Sequence, residues 1–250
     1  CYKILSIDPN HAESISLLAT ISALKKNFLK AKELIAKAVK IQPDNKTYLN
    51  NLGTAYKELG NLKEAENTYK KILKIDSQHT NANYNLGLIF YQLGELKIAK
   101  NYLQKTVNIQ KNYGIAFFSL GNVHVDLKEQ KEAISCYQKA IEINPNIVGA
   151  HNNLGLLYRE LNDFQNAINC YKQAIEIQSN HGGAHHNLAL AYKELGDFKN
   201  AIKSHQSAIE IEPQNSAHYY YLSDVKKDIL DSKLKIKSEN ILKNKSSTIV

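Results

Sequence analysis

The sequence repeats itself every 34 residues, and this period limits the fold more than any other feature. The four prolines are Pro9, Pro43, Pro145 and Pro213, so consecutive prolines are 34, 102 and 68 residues apart. Seven glycines follow the same period in two phases, one at Gly53, Gly87, Gly121 and Gly155 and the other at Gly60, Gly94 and Gly196. A fixed period of this length, without insertions, indicates an array of repeats in which each repeat packs against its neighbours.

The period divides the chain into six complete repeats with a short segment on either side. The repeats cover residues 12–45, 46–79, 80–113, 114–147, 148–181 and 182–215. Residues 1–11 are predicted to be the end of an earlier, truncated repeat, 216–230 a capping helix, and 231–250 a polar helix or linker toward a missing downstream region. Because the chain starts at Cys1 and contains no methionine, we expect it to be a piece of a longer protein.

Each repeat is predicted to form two amphipathic helices joined by a tight turn. In the fifth repeat, "GAHNNLGLLYREL" is followed by a turn at Asn162–Asp163 and then by "FQNAINCYKQAIEI". Gly or Asn at this turn suits the left-handed residue that ends a helix, and Gly155 would let a second helix approach closely. Small residues in the second helices predict the same close approach, at Ala31, Ala65, Ala99, Ala133, Ala167 and Ala201.

The pattern Leu-Gly…Tyr…Ala…Tyr…Ala…Pro, clearest in "NLGLLYRELNDFQNAINCYKQAI", closely resembles the tetratricopeptide repeat. The resemblance covers residues 1–215 and part of the remainder, and it implies an all-α fold, a right-handed α-solenoid of 34-residue helix-turn-helix repeats with a C-terminal capping helix. Departures fall mainly in the third and fourth repeats, where Lys111 replaces the usual proline, His124 the aromatic residue and Lys128 the turn glycine.

The charge and the hydropathy pattern restrict the partners of the chain. A net charge of +8 would suit nucleic acid, but Arg159 is the only arginine among 32 basic residues, and arginine is the side chain best suited to forked recognition of phosphate and guanine. We therefore predict no nucleic-acid partner. The sequence has no apolar run long enough to span a membrane, so we predict no membrane partner. We expect a cytoplasmic location, for a chain whose missing N-terminus leaves no signal peptide to judge. It makes no prediction of the oligomeric state.

No set of residues indicates catalysis, a metal or a cofactor. Cys136 and Cys170 occupy equivalent positions in neighbouring repeats, too far apart for a disulfide, and are predicted to be reduced thiols. His181, His185 and His186 lack the further ligands that would complete a tetrahedral metal site. We expect no cofactor and no enzymatic activity within these residues, with the activity of a longer protein left open.

One recurring residue is not explained by packing. Asparagine immediately precedes the Leu-Gly position in four of the six repeats, at Asn51, Asn85, Asn153 and Asn187, while Leu17 and Ser119 stand there in the other two. An Asn amide can bond both the N–H and the C=O of a peptide, so we predict an asparagine ladder that holds an extended peptide in the concave groove of the solenoid. Neighbouring candidate contacts are Asn50, Tyr84, Tyr91, Phe118, Asn122, Asn152 and Arg159.

The ladder has two alternative origins that need no ligand, since the chain is rich in asparagine and duplication copies a residue along with its repeat. "AHNNLG" and "AHHNLA" are similar to the repeats of O-GlcNAc transferase, SPINDLY-like proteins and bacterial transferases with such repeats. That resemblance implies a protein-interaction scaffold. As an alternative, it implies the N-terminal substrate-recruiting arm of a larger glycosyltransferase or sulfotransferase whose catalytic domain would follow residue 250.

Overall fold

The structure, a computed structural model, describes residues 2–230, and every regular element in that range is a helix. The first helices of the repeats are α2 (Ala12–Leu24), α4 (Lys46–Glu58), α6 (Thr80–Gln92), α8 (Gly114–Asp126), α10 (Val148–Glu160) and α12 (Gly182–Glu194). The second helices are α3 (Phe28–Ile41), α5 (Leu62–Ile75), α7 (Leu96–Ile109), α9 (Gln130–Ile143), α11 (Phe164–Ile177) and α13 (Phe198–Ile211). Helix α1 (Tyr2–Ile7) precedes them, and residues 216–230 form α14. The prediction of an all-α helical-repeat fold is confirmed.

The chain divides into two compact units, Cys1–Cys136 and Tyr137–Val250. In the first unit each helix from α1 to α8 packs against the next along the chain, and two clusters of buried side chains share the flanking residues Val39 and Tyr56. The apolar core of this unit is therefore continuous from one repeat to the next. In the second unit Ile168, Tyr171 and Leu188 belong to a separate buried cluster. No helix among residues 2–230 has the length and apolar character that a membrane span requires.

A left-handed residue occupies the same place in the turn of all six repeats. These residues are Lys26, Gly60, Gly94, Lys128, Asn162 and Gly196, with φ between 57° and 76°. The left-handed conformation costs a residue with a side chain about 1–2 kcal/mol, yet Lys128 adopts it at φ 61°. The geometry of the paired helices thus determines the turn, and the loss of glycine at Lys128 does not change it.

The two helices of a repeat touch at the glycine of the first helix. A methyl group added at Gly53 would lie 2.7 Å from Cζ of Tyr69, and one added at Gly155 would lie 2.6 Å from Cε1 of Tyr171. Both tyrosines are fully buried. The close approach predicted for Gly155 is confirmed, because only a residue without a Cβ leaves room for the tyrosine ring.

Alanine replaces this glycine in the first and sixth repeats, and the residue facing it changes as well. Ala19 and Ile35 occupy the positions that correspond to Gly53 and Tyr69. In the sixth repeat Ala189 and His205 occupy them. Ile35 and His205 are still fully buried. The alanines predicted to mark the second contact are also buried in every repeat, at Ala31, Ala65, Ala99, Ala133, Ala167 and Ala201.

Helix α14 packs on the last repeat through a group of rings and two ion pairs. The ring of His186 on α12 lies 5.4 Å from that of His205, 5.3 Å from that of His218 and 4.9 Å from that of Tyr221. Lys193 contacts Asp224 and, at 3.1 Å, Asp228. The role of α14 as a cap stays a prediction, and the polar helix or linker expected at 231–250 lies outside the described residues.

We expect the substitution Gly155→Ala to destabilise the second unit. Forcing a methyl group against the Tyr171 ring is overpacking, which typically costs about 1–3 kcal/mol, while alanine recovers about 0.5–1 kcal/mol of helix propensity. The net expectation is a loss of about 1–2 kcal/mol in the free energy of unfolding, measured by urea denaturation.

The matched control is Gly183→Ala, in which the added methyl would approach only the ring of His181, with Cε1 the nearest atom at 3.4 Å. This variant should keep or gain stability. A Gly155→Ala protein as stable as wild type would contradict the importance of the close contact.

We also expect acid to destabilise the second unit through His205. Burial, together with the nearby His186, His218 and Lys193, lowers the pKa of His205 to about 4, whereas an unfolded histidine titrates near 6.5. Between about pH 6.5 and pH 4, His205 is therefore protonated in the unfolded chain but neutral in the folded chain. The free energy of unfolding falls as the pH drops toward about 4, by on the order of 2–3 kcal/mol.

The measurement is urea denaturation of wild type and His205→Ile at pH 7.5 and pH 5, since isoleucine already faces alanine in the Ala19–Ile35 pair. The substituted protein should lose less stability on acidification than wild type. Equal losses would show that His205 does not carry this pH dependence.

Candidate functional site

All eleven candidate residues lie on first helices, and all are partly exposed. They are Asn50 and Asn51 on α4, Tyr84, Asn85 and Tyr91 on α6, Phe118 and Asn122 on α8, Asn152, Asn153 and Arg159 on α10, and Asn187 on α12. Neighbouring first helices touch in both units. In the first unit α4 contacts α6 and α6 contacts α8, and in the second α10 contacts α12. In each unit the asparagine positions therefore lie on adjacent helices.

In the second unit, three asparagines form a hydrogen-bonded row. Asn187 Nδ2 donates to Asn152 Oδ1 at 3.0 Å, and Asn152 Nδ2 donates to Asn153 Oδ1 at 3.3 Å. Asn153 Nδ2 donates in turn to the hydroxyl of Tyr137 at 3.4 Å. Because an amide has two N–H groups and two lone pairs, Asn152 and Asn187 keep hydrogen-bonding capacity beyond this row. The sequence did not reveal these internal bonds.

In the first unit, Asn85 is held from both ends of its amide. Lys57 Nζ donates to Asn85 Oδ1 at 2.9 Å, and Asn85 Nδ2 donates to the carbonyl oxygen of Asn81 at 2.9 Å. Burial is the main cause that lowers the pKa of Lys57, against the opposing effect of Glu58. A lysine is therefore part of the ladder environment, although the charge pattern of the sequence alone suggests a solvated face.

Asn51 differs from the other ladder asparagines, because its side chain makes no hydrogen bond to any residue in the described range. Next to it, Asn50 Oδ1 is buried and unpartnered within the same range. Thr54, one turn along α4, is bonded instead to the hydroxyl of Tyr69 at 3.0 Å. Asn51 thus retains its full capacity to donate and to accept.

Aromatic candidates lie beside the first-unit asparagines. The Tyr84 ring packs against that of Tyr113 at 5.2 Å, and its hydroxyl lies 3.4 Å from Ser119 Oγ, at the position where the ladder is interrupted. Burial, followed by a hydrogen bond to Asp126, raises the pKa of Tyr91 to about 12. Tyr91 is therefore a neutral hydroxyl at physiological pH. Phe118 and Asn122 on α8 also interact with other parts of the chain.

Arg159, the single arginine, lies on α10 and is partly exposed. Its charge is one of the causes that lower the pKa of His186, after burial and the charge of His218. The structure thus places Arg159 near the ring group at the end of the array, where its charge influences His186. Its expected contact with a bound peptide stays a prediction.

The histidines and cysteines have separate, local roles. His181 Nδ1 accepts from the backbone N–H of Ala184 at the start of α12, and His185 Nε2 lies 3.0 Å from the carbonyl oxygen of Ser179. Within residues 2–230 no group of three or more His, Cys, Asp or Glu side chains is arranged to hold a metal ion. Cys136 and Cys170 are free thiols, and burial raises the pKa of each to about 11.

Paired helices, a left-handed turn in every repeat and a buried glycine or alanine contact define a helical-repeat solenoid. Family models then specify the kind of repeat. Residues 53–94 and 121–160 match a TPR repeat model, and residues 80–113 and 146–214 match two further tetratricopeptide repeat models. These parts of the chain belong to the tetratricopeptide repeat family. The narrower resemblance to O-GlcNAc transferase and SPINDLY-like repeats stays a prediction.

Solved structures agree with this assignment. The MamA protein is 27% identical over 70% of this chain and 96% of its own, with a TM-score of 0.62. YrrB, described as a TPR protein with an unusual peptide-binding site, is 24% identical over 75% of this chain and 96% of its own, with a TM-score of 0.64. PilF of Pseudomonas aeruginosa is 17% identical over 85% of this chain and 97% of its own, with a TM-score of 0.77. No curated protein matches the chain significantly.

Proposed function

We propose that this tetratricopeptide repeat chain is a protein-interaction scaffold that binds an extended protein segment along the first helices of its repeats. The observation that carries the proposal is the recurrence of partly exposed asparagines at one position of adjacent helices, Asn51 with Asn85 in the first unit and Asn153 with Asn187 in the second. An extended backbone presents alternating N–H and C=O groups, and each Asn amide can bond both kinds.

The internal bonds of the asparagines favour binding. Asn85 is fixed by Lys57 and by its own helix, and Asn187 is fixed by Asn152. A side chain that is already held in place loses less conformational entropy when a ligand arrives. Tyr84 and Phe118 add aromatic surface beside the first-unit asparagines, and aromatic residues are common anchors of interfaces.

The similar proteins support the proposal at the level of the fold. Helical-repeat solenoids present extended surfaces that suit protein ligands, and YrrB is a repeat protein described by its peptide-binding site. The alternative, a substrate-recruiting arm of a glycosyltransferase or sulfotransferase, concerns sequence after residue 250 and stays a prediction. Sequencing of the coding region beyond that residue would decide it. The cytoplasmic location also stays a prediction.

The test uses two paired substitutions, Asn51→Ala with Asn85→Ala and Asn153→Ala with Asn187→Ala. The full chain is used to select binders from a displayed library of random unstructured peptides, and the affinity of a selected peptide is measured by fluorescence polarisation. Each lost hydrogen bond is worth about 0.5–1.5 kcal/mol. At least one of the two paired variants should therefore weaken binding by about tenfold.

The matched control is Asn108→Ala with Asn169→Ala, two exposed asparagines on second helices. This pair should leave the affinity unchanged, and circular dichroism should report the same helicity for all proteins. If both ladder pairs fold and bind as wild type does, the asparagines are products of composition or duplication and the proposal is wrong.

A further inference from the structure

The first repeat lacks the tyrosine that fills the space between the helices of the second repeat. There, Tyr69 is fully buried against Gly53 and its hydroxyl reaches Thr54 at 3.0 Å. One period earlier the corresponding pair is Ala19 and Ile35. Isoleucine is shorter than tyrosine and has no hydroxyl, so the space that the end of the phenol ring would fill is left empty.

The structure contains a cavity at this place, which we name the Ile35 pocket. It has a volume of about 80 Å³, and its lining includes Ala19, Phe28, Ala31, Ile35, Asn51 and Thr54, with no charged residue. Its mouth is open, because the lining residue Thr20 is exposed and Ala23 is partly exposed. The residues that follow Ala23 at the same position are larger, namely Lys57, Tyr91, Val125, Arg159 and Lys193.

The same substitution removes one possible partner of Asn51. Three repeats later, Asn153 donates to the hydroxyl of Tyr137, and Tyr137 is the periodic equivalent of Ile35. Ile35 offers no hydroxyl to Asn51, whose side chain forms no hydrogen bond with any residue of the described part. An apolar pocket and an unpaired amide therefore lie side by side.

We propose that the Ile35 pocket binds a branched aliphatic side chain, valine, leucine or isoleucine, of an extended protein segment, while Asn51 bonds the backbone of that residue. This inference rests on the proposed function and specifies its anchor. A cavity of about 150 Å³ holds benzene, so a pocket of about 80 Å³ suits an aliphatic group better than an aromatic one. A charged side chain would lose its hydration among neutral lining residues without gaining a partner.

The experiment fills the pocket with the pairing that the second repeat already uses. The double substitution Ala19→Gly with Ile35→Tyr reproduces Gly53 and Tyr69, so the phenol ring has room and its hydroxyl can reach Thr20, the residue of the first repeat that corresponds to Thr54. Peptides selected on the full wild-type chain are scanned by alanine to find the aliphatic anchor. Affinities are then measured for each peptide and its anchor→Ala form on both proteins.

On the wild-type chain, replacing the anchor with alanine should weaken binding at least about tenfold, in line with the transfer free energy of a buried aliphatic side chain. On the double variant the two peptides should bind equally, with the affinity that the wild type has for the alanine form. This double-mutant cycle isolates the contact between anchor and pocket.

A second variant keeps the test decisive if the core substitution disturbs folding. Ala23→Lys copies Lys57 of the next repeat and changes a partly exposed residue of the lining without altering the buried pair. It should also abolish the preference for the aliphatic anchor. Asn108→Ala with Asn169→Ala is again the control and should retain that preference.

The outcomes separate this inference from the proposed function. If the ladder substitutions weaken binding but both pocket variants keep the wild-type preference, the scaffold function stands and the Ile35 pocket is not its anchor. Selected peptides that contain no aliphatic residue would also overturn the inference. So would peptides in which an aromatic or charged residue contributes to affinity on the wild-type chain but not on the pocket variants. A wild-type chain that binds no peptide would overturn both proposals.

Discussion

The close contact between the first and second helices of a repeat is the constraint on which the rest of the structure depends. At Gly53 and Gly155 an added methyl group would lie within 2.7 Å of a buried tyrosine ring, so the backbone of one helix rests directly on the side chain of the other. This distance fixes how the helices pair, and the pairing determines the turn. Lys128 keeps a left-handed φ of 61°, although a residue with a side chain disfavours this conformation.

The repeat period predicted most of the fold. For the candidate site it predicted which positions carry the asparagines, but not the hydrogen bonds that they make. It located the helices, the left-handed turns and the small residues that are buried, including Gly155, because packing repeats whenever the sequence does. It did not predict that Asn153 bonds Tyr137 or that Lys57 bonds Asn85. Those bonds depend on which rotamer a long side chain adopts beside neighbours from the adjacent repeat, and periodicity carries no information about rotamers. The joint change to Ala19 and Ile35 was visible in the sequence, and it is the signal that indicates the pocket.

Equivalent asparagines have reached different hydrogen-bonded states in the two units. In the second unit the amides bond to one another, from Asn187 through Asn152 to Asn153, whereas in the first unit a lysine ammonium holds Asn85. The residues that correspond to Asn187 and Asn152 in the first unit are Asn85 and Asn50, again both asparagine. There Lys57 bonds Asn85, and Asn50 Oδ1 has no partner in the described range. A repeated residue type therefore does not imply a repeated interaction, even where the backbone repeats closely.

The unfilled place beside Ile35 also bears on how a long ligand would be aligned. A surface built from identical repeats offers an extended chain several equivalent alignments, each displaced by one repeat, and none is preferred. The Ile35 pocket, where isoleucine replaces the tyrosine of the second repeat, would remove this degeneracy. It would set the register of the ligand, by fixing which segment of the ligand faces which repeat.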